Sequence, residues 1–311
     1  MNVSPQSAGT SSQTVSKRPM PREIGSGVWW LGDCLGQQYN GKIYHGYNAA
    51  HMVVGTKAAL LSDTGHPKDF PVIAKHIEHV LARNPDVPLK YLFLTHQETP
   101  HSGGLGRLLA RFPELEVVGD VSDYHLAFPQ YEHRMRFLGE GEAIDLGGRE
   151  FKIVEPVVRD LRTSNWGFDT KTRCLFPGDG FAYSHYHWDG HCGMVAEEAT
   201  SLDLVDVCAV FQERALFWTT FVDMERYVER MEWQMKELGV RLVAPSHGLP
   251  VTDLERTWPE IRKGLLAGEG KFDDMMKAAA EVAGRRGGGP RELIECTLVA
   301  SSATRTRSEP T

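Results

Sequence analysis

The sequence is poor in the features that mark secreted, membrane-spanning or nucleic-acid-binding proteins. Its five cysteines are odd in number and include no C-x-x-C pair, so a reduced, cytoplasmic setting is expected rather than a disulfide framework. No apolar run approaches the roughly 18 residues of a transmembrane helix, and segment 1–20 lacks the apolar core of a secretory signal. The formal net charge of −7 argues against nucleic-acid or anionic-membrane partners.

The remaining composition is that of an ordinary globular protein, with 41% hydrophobic and 24% charged residues. Segment 1–22 is rich in Ser, Thr, Gln and Pro and is expected to be a disordered tail. One α/β domain is expected over 23–267, followed by a helical extension over 268–300 and a disordered end over 301–311.

Apolar periodicity predicts strands that alternate with helices along the domain. Segments 47–54 and 58–62 are predicted to form a hairpin, and the spacing over 70–83 predicts an amphipathic helix. Segment 33–46 is Gly-rich and polar and is predicted to be a loop. Later strands are predicted over 90–95, 115–118, 172–176 and 240–244, and later helices over 105–111, 224–238 and 257–267.

The strand at 90–95 is followed by a cluster of ligand-type side chains. His96, Glu98 and His101 fall within six residues, and Ser102-Gly103-Gly104 then opens a helix. In an extended segment His96 and Glu98 point to the same side, and His101 can return on the turn. α/β proteins place ligands and metals at such strand ends. This pattern favours a metal site over a solvated polar loop.

Two further strands end in a ligand-type residue. Asp179 follows the strand at 172–176, and His247 follows the strand at 240–244. Each residue alone is more often a turn, cap or surface residue. Together with the first cluster they predict one metal site with the ligands His96, Glu98, His101, Asp179 and His247.

The order of these motifs resembles the metallo-β-lactamase superfamily. The loop Thr-His-x-Glu-x-x-His-x-Gly-Gly resembles its metal loop, and Glu98 resembles the flavodiiron and oxygen-binding diiron branch, as does Ala-Pro-Ser-His-Gly at 244–248. The resemblance implies an α/β fold of four αββα layers, with two mixed β-sheets packed face to face and helices outside. It also implies that Asp179 bridges two metals, that His247 binds the second, and that Asp63 supports the metal loop by hydrogen bonding.

Two positions depart from the family pattern. Pro100 stands where the family has an Asp that holds the second metal, and no His lies near 156–160, where a further ligand is expected. Asp160 is then either an oxygen ligand or a salt-bridge partner of Arg159 or Arg162. His187, with its neighbours His185 and His191, is a candidate for lining the cavity, for ligation or for acid–base work. The residues singled out for catalysis are Glu98, His187 and Asp160.

Other histidines and several aromatic residues are weaker candidates. His45 and His51 stay open as ligands, whereas His76 and His79 are expected on a solvated helix face. Aromatic side chains are expected either to rim the site or to pack in the core; they are Trp166, Tyr183, Tyr186, Trp188, Phe217 and Trp218. Core packing is preferred for Phe217 and Trp218.

Ligands of this kind suit one or two divalent ions, Fe or Zn with Mn as a further candidate, and a carboxylate in place of an imidazole favours iron. The first hypothesis is a metal-dependent hydrolase, in which a metal-bound hydroxide attacks a small organic substrate, aromatic ones included. It follows the hydrolytic majority of the superfamily, and the segment after His247 is too short for the flavodoxin domain of flavodiiron proteins.

Two alternatives stay open. A diiron oxygen-binding or oxygen-reducing protein is supported by Glu98 and the 244–248 element, with Pro100 against it. A metal-poor, non-catalytic subunit of a hetero-oligomer is supported by the missing ligands. A small-molecule substrate and a homo- or hetero-oligomeric assembly are expected in general.

Overall fold

The computed structural model describes residues 18–39, 42–181, 192–199, 205, 208–209, 211–212 and 215–268. The two predicted tails and the C-terminal extension lie almost wholly outside these residues, so they stay predictions. No helix within the described ranges is long and apolar enough to cross a bilayer.

The described residues form strands joined by turns and helices along the chain. The strands are β1 (Arg22–Gly25), β2 (Val28–Leu31), β3 (Cys34–Tyr39), β4 (Lys42–Tyr47), β5 (Ala50–Val54), β6 (Ala59–Ser62), β7 (Leu89–Phe93), β8 (Glu116–Gly119), β9 (Met135–Phe137), β10 (Ala143–Asp145), β11 (Glu150–Val154), β12 (Trp166–Asp169), β13 (Cys174–Phe176) and β14 (Leu242–Val243). The α-helices are α1 (Phe70–Ala82), α2 (Thr99–Ser102), α3 (Leu105–Arg111), α4 (Tyr124–Ala127), α5 (Met224–Leu238) and α6 (Leu254–Ala267).

Two mixed sheets form the body of the protein. The larger has the order β1-β2-β5-β6-β7-β8-β9, antiparallel as far as β6 and parallel beyond it. The smaller has the order β10-β11-β12-β13-β14, and only its last pair is parallel. The predicted four-layer αββα architecture with two mixed sheets is confirmed.

The larger sheet is buried on both faces, and the alternation of its side chains shows how. In β2, Val28 and Trp30 join a core cluster with Phe151 and Phe176 of the smaller sheet. Trp29 and Leu31 point the other way, into a second cluster beneath helices α1 and α3. Successive side chains of a strand face opposite sides, so one strand contributes to two cores.

The helix boundaries follow local sequence signals. Helix α5 begins after Asp223, whose carboxylate accepts a hydrogen bond from the Glu225 amide. It ends at Gly239, which adopts a left-handed conformation with φ 59°. Helix α1 matches the periodicity of the predicted helix at 70–83 to within one residue. For these two helices, the apolar spacing and the residues at the helix ends were sufficient to predict their positions in the sequence.

The segment at 33–46 is a hairpin rather than the predicted loop. Strands β3 and β4 pair from Cys34 with Tyr47 to Tyr39 with Lys42 and form a separate two-stranded sheet. The prediction was wrong because this ladder depends on cross-strand pairing, and its Gly-rich, polar sequence carries no apolar alternation. Strand β12 was missed as well, because its four residues are all buried and give no alternating pattern.

The ends of four strands meet at one edge of the two sheets. Backbone hydrogen bonds tie the segments after these strands together: the Asp63 amide donates to the Phe93 carbonyl, and the Ser246 amide donates to the Gly178 carbonyl. The Asn165 amide donates to the Thr95 carbonyl across the same edge. Segments distant in sequence are therefore held side by side before any ligand is considered.

Candidate metal centre

The carboxylate of Asp179 lies at the centre of three imidazoles. Its Oδ1 is 3.3 Å from Nε2 of His101 and 3.6 Å from Nε2 of His247. Its Oδ2 is 3.9 Å from Nε2 of His96. Nε2 of His96 also lies 3.4 Å from Oδ2 of Asp160. One carboxylate therefore divides the centre into two halves, one facing His96 and the other facing His101 and His247.

Each imidazole is oriented through its other ring nitrogen. Nδ1 of His101 donates to Oδ2 of Asp63 at 3.0 Å, and Nδ1 of His247 donates to the Tyr47 carbonyl at 2.6 Å. Nδ1 of His96 lies 3.3 Å from Oγ1 of Thr95. Partners of this kind fix the ring and direct the free nitrogen inward, as they do in metal sites.

The loop after β7 explains both the position of His101 and the presence of Pro100. Glu98 has an extended backbone and precedes α2, and its carbonyl accepts from the amides of His101 and Ser102. Pro100 lies in the first turn, where its ring is tolerated because the missing N–H has no partner there. The turn brings His101 back beneath His96. Pro100 offers no ligand atom, so the half with His101 and His247 has one carboxylate fewer than the family pattern.

Glu98 and Asp160 belong to the half that faces His96. Ligand atoms of His96, Glu98 and Asp160 lie within 4.8 Å of one another. Burial and the nearby Asp160 carboxylate raise the pKa of Glu98, although its side chain reaches the surface. Arg159, a predicted partner of Asp160, contacts Glu140 instead at 3.3 Å. Asp160 thus lies within reach of His96, in the segment where a further His was expected.

Asp63 connects the two loops that carry the imidazoles. Its carboxylate accepts hydrogen bonds from the amide and hydroxyl of Thr95, from Nδ1 of His101 and from the hydroxyl of Ser246 at 2.6 Å. Burial would raise its pKa, but His101 and these hydrogen bonds outweigh it and lower the pKa. Sequence reasoning did not name Thr95 and Ser246, although both stand inside the quoted motifs, next to His96 and His247.

The electrostatics of the centre are those of a site for a cation. Burial alone would lower the pKa of His101, but the carboxylates of Asp179 and Asp63 raise it to about 9. Burial favours a neutral Asp179, yet the surrounding imidazoles lower the pKa of this carboxyl. The negative potential is thus strong enough to hold a proton on His101, and a divalent cation would compensate it with more charge.

Unsatisfied polar atoms support the same conclusion. Nε2 of His96, Nε2 of His101 and Oδ1 of Asp179 are buried and have no hydrogen-bond partner among the described residues. Buried polar atoms in native proteins are nearly always paired, and leaving one unpaired costs about 1–3 kcal/mol. Metal coordination would satisfy all three at once, so the residues fit a bound ion.

The remaining histidines that the structure describes lie outside this centre. His51 is buried in β5, where burial lowers its pKa to about 4 and its ring contacts Phe176. His45 lies in β4 beside Cys34. His76 lies on helix α1 away from the centre; it is half-buried rather than solvated, and it accepts a hydrogen bond from the Gly32 amide.

Several candidates fall where no placement is described. His185, His187 and His191, with Tyr183, Tyr186 and Trp188, lie outside the described residues. Trp166 is buried in β12 and lines a narrow cleft beside His96, Asp160 and Asp179. Phe217 is 62% exposed, so the preference for core packing is wrong for this residue.

Comparisons with known proteins find relatives of the flavodiiron type. No protein-family model matches the chain. A coenzyme F₄₂₀H₂ oxidase of Methanothermobacter marburgensis is 24% identical over 246 residues, covering 75% of this chain and 58% of the relative. A nitric oxide reductase of Moorella thermoacetica is 23% identical over 245 residues, covering 74% and 57%. The chain therefore spans a little over half the length of these curated relatives.

Solved structures agree on the fold. The rubredoxin oxygen:oxidoreductase of Desulfovibrio gigas has a TM-score of 0.59 at 16% identity, covering 78% of this chain and 60% of that one. The flavodiiron protein of Giardia intestinalis has a TM-score of 0.59 at 16% identity, covering 81% and 60%. The chain has the metallo-β-lactamase fold, and its relatives are flavodiiron-type proteins, as the resemblance implied.

The hydrolase hypothesis is wrong. The curated relatives are named as an oxidase and a reductase, which are oxidoreductases. The hypothesis followed the hydrolytic majority of the superfamily and gave too little weight to Glu98 and to the 244–248 element. The zinc and manganese assignments are likewise unsupported by the comparisons, in which the protein of Giardia intestinalis is named as a flavodiiron protein.

We predict that removing a central imidazole lowers the iron content and that removing the imidazole of His76 does not. In His96→Ala and His247→Ala, iron content measured after anaerobic loading should fall at least about 10-fold, because each loses an inward-facing nitrogen. His76→Ala should load iron as the unsubstituted protein does, since its ring lies on α1 outside the centre and accepts a hydrogen bond from the Gly32 amide. Equal losses in all three variants would contradict this assignment.

Replacing the carboxylate that connects the loops should weaken the centre without removing a ligand. In Asp63→Asn, an amide NH₂ faces groups that themselves donate, so iron affinity should fall about 10–100-fold. The unfolding free energy should fall by about 2–4 kcal/mol. Isothermal iron titration and urea unfolding measure the two effects. Asp145→Asn, which removes an exposed carboxylate paired with Lys57, is the matched control and should change neither; an iron affinity unchanged in Asp63→Asn would exclude the role.

Proposed function

We propose that the chain is a dinuclear iron oxidoreductase domain that binds and reduces a diatomic gas, dioxygen or nitric oxide. The observation that carries the proposal is the placement of Asp179, whose two oxygens face different imidazoles across a buried centre. The names of the curated relatives, an oxidase and a nitric oxide reductase, support this class of reaction. The enzyme names of these relatives also argue against the alternative of a metal-poor, non-catalytic subunit.

The donor groups divide between two ions. His96, Glu98, Asp160 and Oδ2 of Asp179 would hold the first, and His101, His247 and Oδ1 of Asp179 would hold the second. Nitrogen and carboxylate ligands without a thiolate suit iron, and ferrous iron with an open coordination position supplies the binding of a diatomic gas and its electrons. Full reduction of dioxygen to water takes four electrons and four protons, so a reduced external electron carrier would be the co-reactant.

The two halves are chemically unequal. The half with His96 has three carboxylates and one imidazole, whereas the half with His101 and His247 has two imidazoles and a share of Asp179. The first half therefore offers more negative charge and more donors. With Pro100 in place of a carboxylate, the second half has fewer protein ligands and more room for an exogenous one.

The surroundings favour a small, weakly polar ligand. The ring of Phe211 lies 5.4 Å from that of His247 and covers this side with apolar atoms. The cleft beside His96, Asp160 and Asp179 is narrow and has no room for an organic substrate within the described part of the chain. Sites for drug-sized organic molecules typically occupy about 300–1,000 Å³. A cytoplasmic location and an oligomeric assembly stay predictions.

The unequal halves lead to a gain-of-function prediction. Pro100→Asp adds a carboxylate in the first turn of α2, where an acidic side chain is favoured. The affinity for the second iron, measured by anaerobic titration, should rise about 10-fold or more. Thr99→Asp adds the same charge at the exposed neighbouring position and is the matched control. An equal rise in both variants would mean that charge alone is responsible, and no rise in Pro100→Asp would contradict the assigned halves.

Gas consumption tests the proposed reaction. Protein loaded with ferrous iron and supplied with a chemical reductant and a redox mediator should consume dioxygen or nitric oxide at a gas electrode, well above the rate without protein. The rate should be lost in His247→Ala and retained in His76→Ala. Iron-loaded protein that consumes neither gas would contradict the function, and consumption of one gas alone would identify the substrate.

A further inference from the structure

Three more ligand-type side chains meet away from the histidine–carboxylate centre. Sγ of Cys34, a ring nitrogen of His45 and Sγ of Cys192 all lie within 4.8 Å of one another. Sγ of Cys34 is 3.1 Å from Nδ1 of His45. None of these residues contributes to the centre around Asp179. The three are called the thiol–imidazole cluster below.

The hairpin that was predicted to be a loop forms one side of this cluster. Cys34 pairs with Tyr47 across β3 and β4, and His45 pairs with Gly36. Cys34 and His45 are therefore diagonal neighbours on the same face of the hairpin, a spacing that lets their side chains meet. The register of the ladder sets this contact, so it does not depend on a chance rotamer of a mobile loop.

Cys192 is brought to the hairpin by a separate set of hydrogen bonds. The Gly193 amide donates to Oη of Tyr47 at 2.7 Å, and the Gly193 carbonyl accepts from Arg22 at 2.7 Å. The Arg18 amide donates to the Cys192 carbonyl at 3.0 Å. Gly193 has φ +84°, and a Cβ there would lie 2.7 Å from the Arg18 carbonyl oxygen. The backbone beside Cys192 is thus adapted to this approach.

The phenol of Tyr47 lies between the hairpin and the segment that carries Cys192. Tyr47 pairs with Cys34 across β3 and β4, and its Oη accepts a hydrogen bond from the Gly193 amide. A cation at this position would neutralise the charge that forms when the thiols lose their protons to a metal.

We propose that the thiol–imidazole cluster is a second metal site, for a thiophilic divalent cation such as Zn²⁺, independent of the proposed iron centre. Two sulfurs and one nitrogen match the Cys₂His ligand sets of zinc proteins, with the fourth position left for water. Zinc bonds of about 2.3 Å to sulfur and about 2.0 Å to nitrogen place tetrahedral ligand atoms roughly 3.5–3.8 Å apart. The cluster reaches that spacing with shifts of about 1 Å or less.

The ligand chemistry separates the two metal sites of the chain. Soft thiolates select zinc and similar ions, whereas the imidazole and carboxylate groups around Asp179 suit iron. A disulfide between Cys34 and Cys192 would instead need a sulfur–sulfur bond of about 2.05 Å and would leave His45 without a role. The presence of the imidazole at 3.1 Å favours a metal over a disulfide.

Cobalt is the probe that distinguishes this site. Iron-free protein, kept reduced with a phosphine, is titrated with Co²⁺ without oxygen. A near-ultraviolet sulfur-to-cobalt charge-transfer band should saturate at one ion per chain and disappear when Zn²⁺ is added. X-ray absorption of the cobalt-loaded protein should show sulfur neighbours; their number is two at this site and is averaged with any cobalt held around Asp179. A spectrum with only nitrogen and oxygen neighbours would overturn the proposal without the need for any variant.

Matched variants assign the band to these residues. Cys34→Ser and Cys192→Ser should each lose most of the band, and His45→Ala should bind Co²⁺ at least about 10-fold more weakly. Cys174→Ala, which removes a thiol buried in β13, should keep it. His247→Ala should keep it too, so failure of the iron centre is distinguishable from failure of this site. A band retained in Cys34→Ser, or a Cys34–Cys192 disulfide in protein purified without reductant, would overturn the proposal.

Discussion

The rest of the centre depends on the hydrogen bonds that the carboxylate of Asp63 accepts. It is buried between the ends of β6, β7 and β14, and it accepts hydrogen bonds from Thr95, His101 and Ser246 at once. A buried charge is costly unless it is paired and hydrogen-bonded, so each of these donors is held in place. The two imidazole-bearing loops are therefore fixed relative to each other by one side chain that offers no atom to the centre.

A rigid frame of this kind explains why unpaired polar atoms persist at Asp179, His96 and His101. The frame prevents the side chains from turning away to find hydrogen-bond partners among the described residues. A bound cation would recover the cost of leaving them unpaired, and metal affinity would then be coupled to the stability of the fold. The proposed thiol–imidazole cluster follows the same logic, with the hairpin register and the Gly193 contacts as its frame.

Sequence patterns were sufficient for the residues that stand directly at strand ends. His96, Asp179 and His247 each follow an apolar run, and the structure brings all three together. Asp160 could not be placed in this way, because its approach to His96 depends on the loop before β12 and on the contact between Asn165 and Thr95. The hairpin of β3 and β4 could not be predicted for a related reason, since its Gly-rich, polar sequence shows no apolar alternation. The contact of Cys34 and His45 with Cys192 depends on that hairpin and was missed with it.

The most direct test of the account is a crystal structure of the iron-loaded protein with anomalous scattering recorded at the iron edge. We expect two iron peaks on opposite sides of Asp179, one in contact with His96 and the other with His101 and His247. A single peak, or peaks that do not contact the Asp179 carboxylate, would contradict the central claim that this one side chain divides the site between two ions.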